Sequence, residues 1–200
     1  LNAVAIAAGR KVVTGFFPEA RPEGKFDIIV AMNVAAHTPD PATFMRGVHD
    51  CLAPGGVAII QTSQALMVAN GEFDTVYHEH YSFYTVASMA RLAARSGLRV
   101  EASKLTSVHG TSLLPFAFEE SAPFSVAWPS PQPAALSPNL SEEDAAGAYV
   151  KFADGAKDAM QSAAEAVARH QAAGRKVALV GVAAKAMTFI RAAGITPDTY

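Results

Sequence analysis

Two short, almost unbroken apolar runs on either side of one sharply punctuated helix constrain this chain more than any other feature of its sequence. Residues 26–32 (FDIIVAM) and 57–62 (VAIIQT) show little apolar–polar alternation. A strand with one wet face alternates, whereas a strand covered on both faces need not, and such strands belong to the interior of parallel sheets. Between the runs lies PDPATFMRGVHDCLAPGG, residues 39–56. Asp40 can accept from the first free amides of a helix, Pro41 suits the first helical position, apolar residues recur at helical spacing, and Pro54-Gly55-Gly56 ends the pattern. A further β-rich run, KVVTGFF at 11–17, predicts a strand ahead of them. The order strand, strand, helix, strand is the grammar of an α/β domain.

The same grammar continues downstream. A helix is predicted over about 86–96, closed by Gly97, with a strand from Leu98 to Ala102. Pro115, Pro123, Pro129, Pro131, Pro133 and Pro138 then predict a mostly irregular linker over about 115–138. Ser141, with Asp144 three residues on, forms a capping-box pattern that opens a long alanine-rich helix to about Ala173. Gly147 and Gly155 each weaken that helix by about 1 kcal/mol relative to Ala, so packing must hold it. After Gly174, KVALVGVAAKAMTFIRAAG predicts a strand, a small-residue turn and a helix. The predicted fold class is α/β, with a partial Rossmann-like sheet over 1–105 and the start of a second α/β carboxyl-terminal unit over 106–200.

Composition excludes several functions. With half its residues hydrophobic and 17% charged, the chain can bury a core and is not disordered. A net charge of −2 with scattered Lys and Arg provides no basic field, so no nucleic-acid partner is expected. No apolar run reaches the roughly 18–20 residues of a membrane-crossing helix, and no basic-then-apolar leader opens the sequence, so no membrane association is expected. The single cysteine, Cys51, lies in an apolar helical pattern, reads as a buried structural thiol, and fits a reducing cytoplasm. The sequence starts at Leu1, inside a predicted helix tail, and stops at Tyr200 where a further strand is expected, so it reads as a fragment.

Chemistry concentrates in EFDTVYHEHYSFYT, residues 72–85, which packs two histidines, three tyrosines and three carboxylates into fourteen positions. A core explains such density poorly. If the backbone turns here, Tyr77 and His80 face the same way and present a phenol and an imidazole to one point, an arrangement suited to taking a proton from carbon. If it is extended, His78 and His80 share a face and could approach a metal, although no cysteine flanks them and further ligands must come from elsewhere; no metal is expected. A structural aromatic cluster is the third alternative. In a doubly wound sheet ligands lie over the carboxyl ends of strands, which makes Asn33 and Val34 candidate cofactor contacts, with Phe16 at the end of the first run grouped with them.

Four segments together, NVAAHTPD (33–40), FDTVYHEHYSFYT (73–85), LTSVHGTSLL (105–114) and VALVGVAAKAMTFI (177–190), resemble the C-methyltransferases of nucleotide-linked deoxysugars. Strings in that family read NVLAHVPD, FDTIYHEHxSYFS, THGGSLR and YGAxAKGNT. The resemblance implies a class I methyltransferase domain using S-adenosyl-L-methionine, joined to a carboxyl-terminal domain that binds a small-molecule nucleotide sugar. It implies His80 as general base assisted by Tyr77, Glu79 as an orienting group, and His37 near the site of methyl transfer. It also implies substrate contacts from His109, Gly110 and Ser112, and from Gly181 and Lys185, the lysine meeting a pyrophosphate. The sequence departs from those strings at Thr111, Leu114, Ala186 and Met187. By the same resemblance, the glycine-rich cofactor loop, the ribose-binding acid and a cysteine-rich zinc module are expected upstream of Leu1. The expected activity is methylation of a carbon α to a ketone. The alternatives are a non-catalytic nucleotide-sugar-binding module and a methyltransferase acting on a non-sugar acceptor.

Overall fold

A computed structural model describes residues 2–63, 65–106, 112–119 and 142–199. In chain order its principal elements are α1 (Asn2–Ala7), β1 (Phe26–Met32), α2 (Pro41–Cys51), β2 (Leu52–Ser63), α3 (Met67–Asn70), α4 (Val86–Ala94), β3 (Leu98–Thr106), β4 (Ser112–Glu119), α5 (Glu142–Ala172) and α6 (Ala184–Ala192). Two compact units result, each discontinuous in sequence. Leu1–Gln64 groups with Tyr81–Ser137, and Ala65–His80 groups with Pro138–Tyr200. Residue 105, the expected boundary, falls within β3.

The first unit is a mixed α/β structure around a four-stranded sheet of order β1-β2-β4-β3. Only β1 and β2 run parallel; β4 lies between β2 and β3 and is antiparallel to both. The expectation of a parallel sheet therefore holds for one pair of strands. Helix α2 begins as its sequence demands, with Asp40 Oδ1 accepting from the amides of Ala42 and Thr43 at 3.0 Å and Pro41 in the first turn. Helix α4 is closed at its start by a reciprocal pair, in which the Ser88 amide donates to Thr85 Oγ1 and the Thr85 amide to Ser88 Oγ. Phe44, Met45 and Val48 of α2, Met89 and Ala93 of α4, and Ala58 and Ile60 of β2 pack together with Leu98 and Ala117 into one buried core.

Three expectations need correction here. Residues 11–17 form no strand. Val13 and Phe16 are exposed, and a β-rich run becomes a strand only where a neighbour completes its ladder. Residues 112–119 are not irregular, because β4 carries Pro115 buried in its interior, opposite Ser103 of β3. Toward β2 the paired positions jump from Ile59↔Phe116 to Thr62↔Leu113, so the prolyl nitrogen, which has no hydrogen to give, falls where that ladder is interrupted. The rest of the expected linker, 120–138, and Ser141 of the expected capping box lie outside the described residues.

The third correction concerns the second unit. Its described elements are α3, α5, α6 and short 3-10 turns at Phe73–Thr75 and Pro197–Thr199. The strand expected within 177–182 is absent, and Val180 is 94% exposed. Residues 177–180 alternate between half-buried and exposed, the pattern of a strand, yet no partner strand pairs with them among the described residues. Packing holds this unit instead, with α5 and α6 both against the Phe73–Thr75 turn and the rings of Phe73 and Phe189 5.6 Å apart. No described helix is long and apolar enough to cross a membrane.

Candidate active site

At the carboxyl end of β1 the chain leaves the sheet abruptly. Asn33 adopts a left-handed φ of 54° while its amide still donates to the carbonyl of Gln61 at 3.0 Å. Asn tolerates that conformation better than most residues with a Cβ. The chain then coils into a 3-10 helix, Ala35–His37. This bend brings Val34 and His37 to the wall of a cavity of about 740 Å³, shared with Phe16, Glu19, Asp40 and Tyr81. Asn33 makes the turn but does not line the cavity. Phe16 reaches it because its neighbour Phe17 is anchored edge-on against Phe44, with ring centroids 5.7 Å apart. The Tyr81 amide donates to the carbonyl of Ala36 at 2.8 Å, and the buried Tyr84 hydroxyl donates to that of Ala35 at 3.3 Å. Phe16, Val34 and His37, singled out in the sequence, thus belong to one pocket. Tyr81 was missed, although it directly follows the histidine motif.

The motif itself turns. The His80 amide donates to the Tyr77 carbonyl at 2.9 Å, and this turn brings the Tyr77 hydroxyl within 3.1 Å of His80 Nε2. On the far side of the imidazole, Nδ1 lies 2.9 Å from the carbonyl oxygen of Thr75. A carbonyl can only accept, so Nδ1 carries a proton, and whenever the ring is neutral Nε2 presents its lone pair to the Tyr77 O–H. Burial pushes the Tyr77 phenol above its ordinary range, and the negative charge of Glu79 pushes the same way. Tyr77 is therefore a proton donor at neutral pH. A base whose second nitrogen is fixed by a backbone carbonyl is the usual grammar of an oriented imidazole. The extended alternative is not adopted, and the His78 ring projects outward, 85% exposed and 3.8 Å from Glu79. Thr75, buried and essential to this geometry, has a role that residue identity does not advertise, because its carbonyl does the work.

The remaining candidates are scattered. His109 and Gly110 lie outside the described residues. Ser112 opens β4, with its backbone in register with Ser63 and Thr106. Gly181 occupies an exposed turn with a φ of 72°. Lys185 stands in the first turn of α6, with its ammonium 4.0 Å from the carboxylate of Asp74. The pocket belongs to the first unit, whereas Tyr77, Glu79, His80 and Lys185 belong to the second.

Comparison with known proteins gives this geometry a family. Residues 4–103, half of the chain, match the family described as a methyltransferase domain. The chain belongs to that family. This methyltransferase-family chain is 29% identical over 208 residues to the C-methyltransferase NovU of Streptomyces niveus, an alignment covering 97% of the chain and 48% of NovU. It is also 29% identical over 85 residues to a ubiquinone biosynthesis O-methyltransferase of Psychrobacter arcticus, covering 37% of the chain and 33% of that enzyme. The chain thus spans half or less of the length of these curated relatives. Among solved structures, the mitomycin 7-O-methyltransferase MmcR aligns with a TM-score of 0.48 and 18% identity, over 59% of this chain and 38% of its own.

S-adenosylmethionine is the cofactor of the methyltransferase family. The cavity at the end of β1 fits such a group in chemistry. Phe16 and Tyr81 offer aromatic surface, Val34 an apolar wall, and Glu19 a carboxylate for a hydroxyl or a cationic centre.

Proposed function

We propose that this chain is part of an S-adenosylmethionine-dependent C-methyltransferase that takes a proton from a carbon α to a ketone on a nucleotide-linked sugar and methylates that carbon. The observation that carries the reading is the Tyr77–His80 pair with the Thr75 carbonyl behind it. Methyl transfer to a carbon α to a ketone first needs a base for a weakly acidic C–H and a donor for the developing enolate oxygen, and an imidazole paired with a phenol offers both. Alignment with the C-methyltransferase NovU along 97% of the chain supports the same reading. The nucleotide sugar rests on the four sequence strings.

In this mechanism His80 Nε2 is the proton acceptor. The fixed Nδ1–H keeps its lone pair in place and stabilises the imidazolium that forms. The Tyr77 hydroxyl, held protonated, turns from Nε2 toward the ketone oxygen and donates to it as enolate charge develops. Once the carbon is nucleophilic, S-adenosylmethionine supplies an already activated methyl group whose main requirement is alignment. Phe16 and Val34 would hold that cofactor, and His37 lines the same cavity. We place this enzyme in the cytoplasm, with a small-molecule substrate.

The test uses the full-length protein with a panel of nucleotide-linked keto-sugars in deuterated solvent. His80→Ala is expected to lose about two to four orders of magnitude in turnover and a comparable amount of solvent exchange at the reacting carbon. Tyr77→Phe, which keeps the ring, is expected between wild type and His80→Ala. Deuterium exchange at the wild-type rate in His80→Ala would remove His80 as the base. Methyl appearing on oxygen, with no exchange at carbon, would favour the O-methyltransferase reading that the ubiquinone enzymes represent.

A further inference from the structure

We propose that Lys185 and Asp74 form a positioning pair for His80, so that α6 sets the orientation of the base through the Phe73–Thr75 turn. This deepens the proposed function and rests on His80 being the base.

The chain of contacts lies within one unit. His80 Nδ1 is held by the carbonyl of Thr75 at 2.9 Å. Thr75 ends the 3-10 turn Phe73–Thr75, is 5% exposed, and cannot move without carrying that carbonyl with it. The other two residues of the turn both meet α6. Phe73 packs on Phe189 with ring centroids 5.6 Å apart, and the Asp74 carboxylate lies 4.0 Å from the Lys185 ammonium. Lys185 and Phe189 are four apart and share one face of α6, so a single helix face grips two successive residues of the turn. The turn closes on its own backbone, with the Thr75 amide donating to the carbonyl of Glu72 at 3.1 Å and the Val76 amide to that of Phe73 at 3.0 Å, while Thr75 Oγ1 is buried with no hydrogen-bond partner, so the side-chain contacts that tie the turn to α6 are those of Phe73 and Asp74.

The division of labour follows from the chemistry. An ion pair whose side chains are 30% and 38% exposed, at the outer limit of contact, is weak, and most of the adhesion comes from the two rings. A ring pair, however, tolerates rotation and sliding, whereas a charge pair one residue along the turn selects one rotation. Lys185 so placed faces a carboxylate of its own unit, a role separate from the pyrophosphate contact that the family resemblance implies for it. A general base is sensitive to small displacements, so a pair of slight energetic weight can still affect rate.

The test compares Asp74→Asn, Lys185→Met, Lys185→Arg and the exchanged pair Asp74→Lys with Lys185→Asp in the full-length protein. The readouts are kcat and KM for the keto-sugar nucleotide and the ¹⁵N shifts of the His80 ring in ligand-free enzyme, which report which nitrogen bears the proton. Asp74→Asn and Lys185→Met are each expected to lower kcat about three- to tenfold with KM within about twofold, and to convert His80 from one tautomer to a mixture. Lys185→Arg is expected to match wild type, and the exchanged pair to regain most of the loss. A higher KM in Lys185→Met with His80 shifts unchanged would assign Lys185 to the substrate and overturn the proposal. The ring shifts need no turnover, so they decide the positioning question even if the protein methylates no carbon, a result that would defeat the functional reading alone.

Discussion

Tyr84 shows how much one buried hydroxyl can tie together. It is 5% exposed, and it donates to the carbonyl of Ala35 in the turn that lines the cavity. Burial raises its phenol above the ordinary value near 10, with a hydrogen bond to Ser82 opposing, and Tyr77 is shifted in the same direction. Because the folded form holds these protons to higher pH than the unfolded chain does, their contribution to stability is full below about pH 10 and is lost as pH rises through the folded values. Urea midpoints measured between pH 8 and 11.5 are expected to fall steeply above pH 10, and Tyr84→Phe is expected to flatten that fall while costing about 1 kcal/mol at pH 7. At this scale the sequence was only partly legible. The motif permitted both a turned and an extended backbone, and the choice was made by backbone groups, the Thr75 carbonyl and the His80 amide, which no residue identity encodes. The Asp74 carboxylate beside Lys185 lies far upstream in sequence, so that pairing could be found only once the chain is folded.

The elements that sequence described best are those with local punctuation. Helix α2 starts on Asp40 and Pro41, and β1 spans 26–32, as their residues require. The runs at 11–17 and 177–182 failed as strands because a strand is a relation between neighbours, and apolar β-branched residues declare only half of it. Pro115 misled in the opposite direction, since the gap in the β2–β4 ladder that accommodates it cannot be seen along the chain. Glycines separate local propensity from packing in a way that can be measured. Gly155 in α5 has open space where a Cβ would stand, so Gly155→Ala is expected to stabilise the protein by about 0.5–1 kcal/mol through helix propensity. Gly47 in α2 gains the same propensity, but an added Cβ would lie 2.3 Å from Cβ of Pro18 and 2.9 Å from the ring of Phe17. Gly47→Ala is therefore expected to lower the melting temperature and to displace the Phe16–Phe17 segment from the cavity. Thermal melts of the two variants check the opposite signs.

For the whole molecule, the order of elements was enough to identify a mixed α/β structure, but not the direction of the strands that close the sheet or the contact pattern that groups Ala65–His80 with 138–200. A linear reading divides a chain at composition changes, whereas folding divides it by contacts between distant segments. One consequence of the sheet concerns the behaviour of the chain in solution. Among the described residues β1 stands at one edge of the sheet, and its Ile28, Val30 and Met32 are 61%, 59% and 51% exposed, in alternation with inward-facing Ile29 and Ala31. An apolar row along the outer strand of a sheet is a template for another strand. The isolated 200-residue chain is therefore expected to associate in a concentration-dependent manner and to bind hydrophobic dyes while remaining folded. Val30→Lys points away from the core, and in light scattering it is expected to keep the chain dispersed without lowering its melting temperature; unchanged association would place the sticky surface elsewhere.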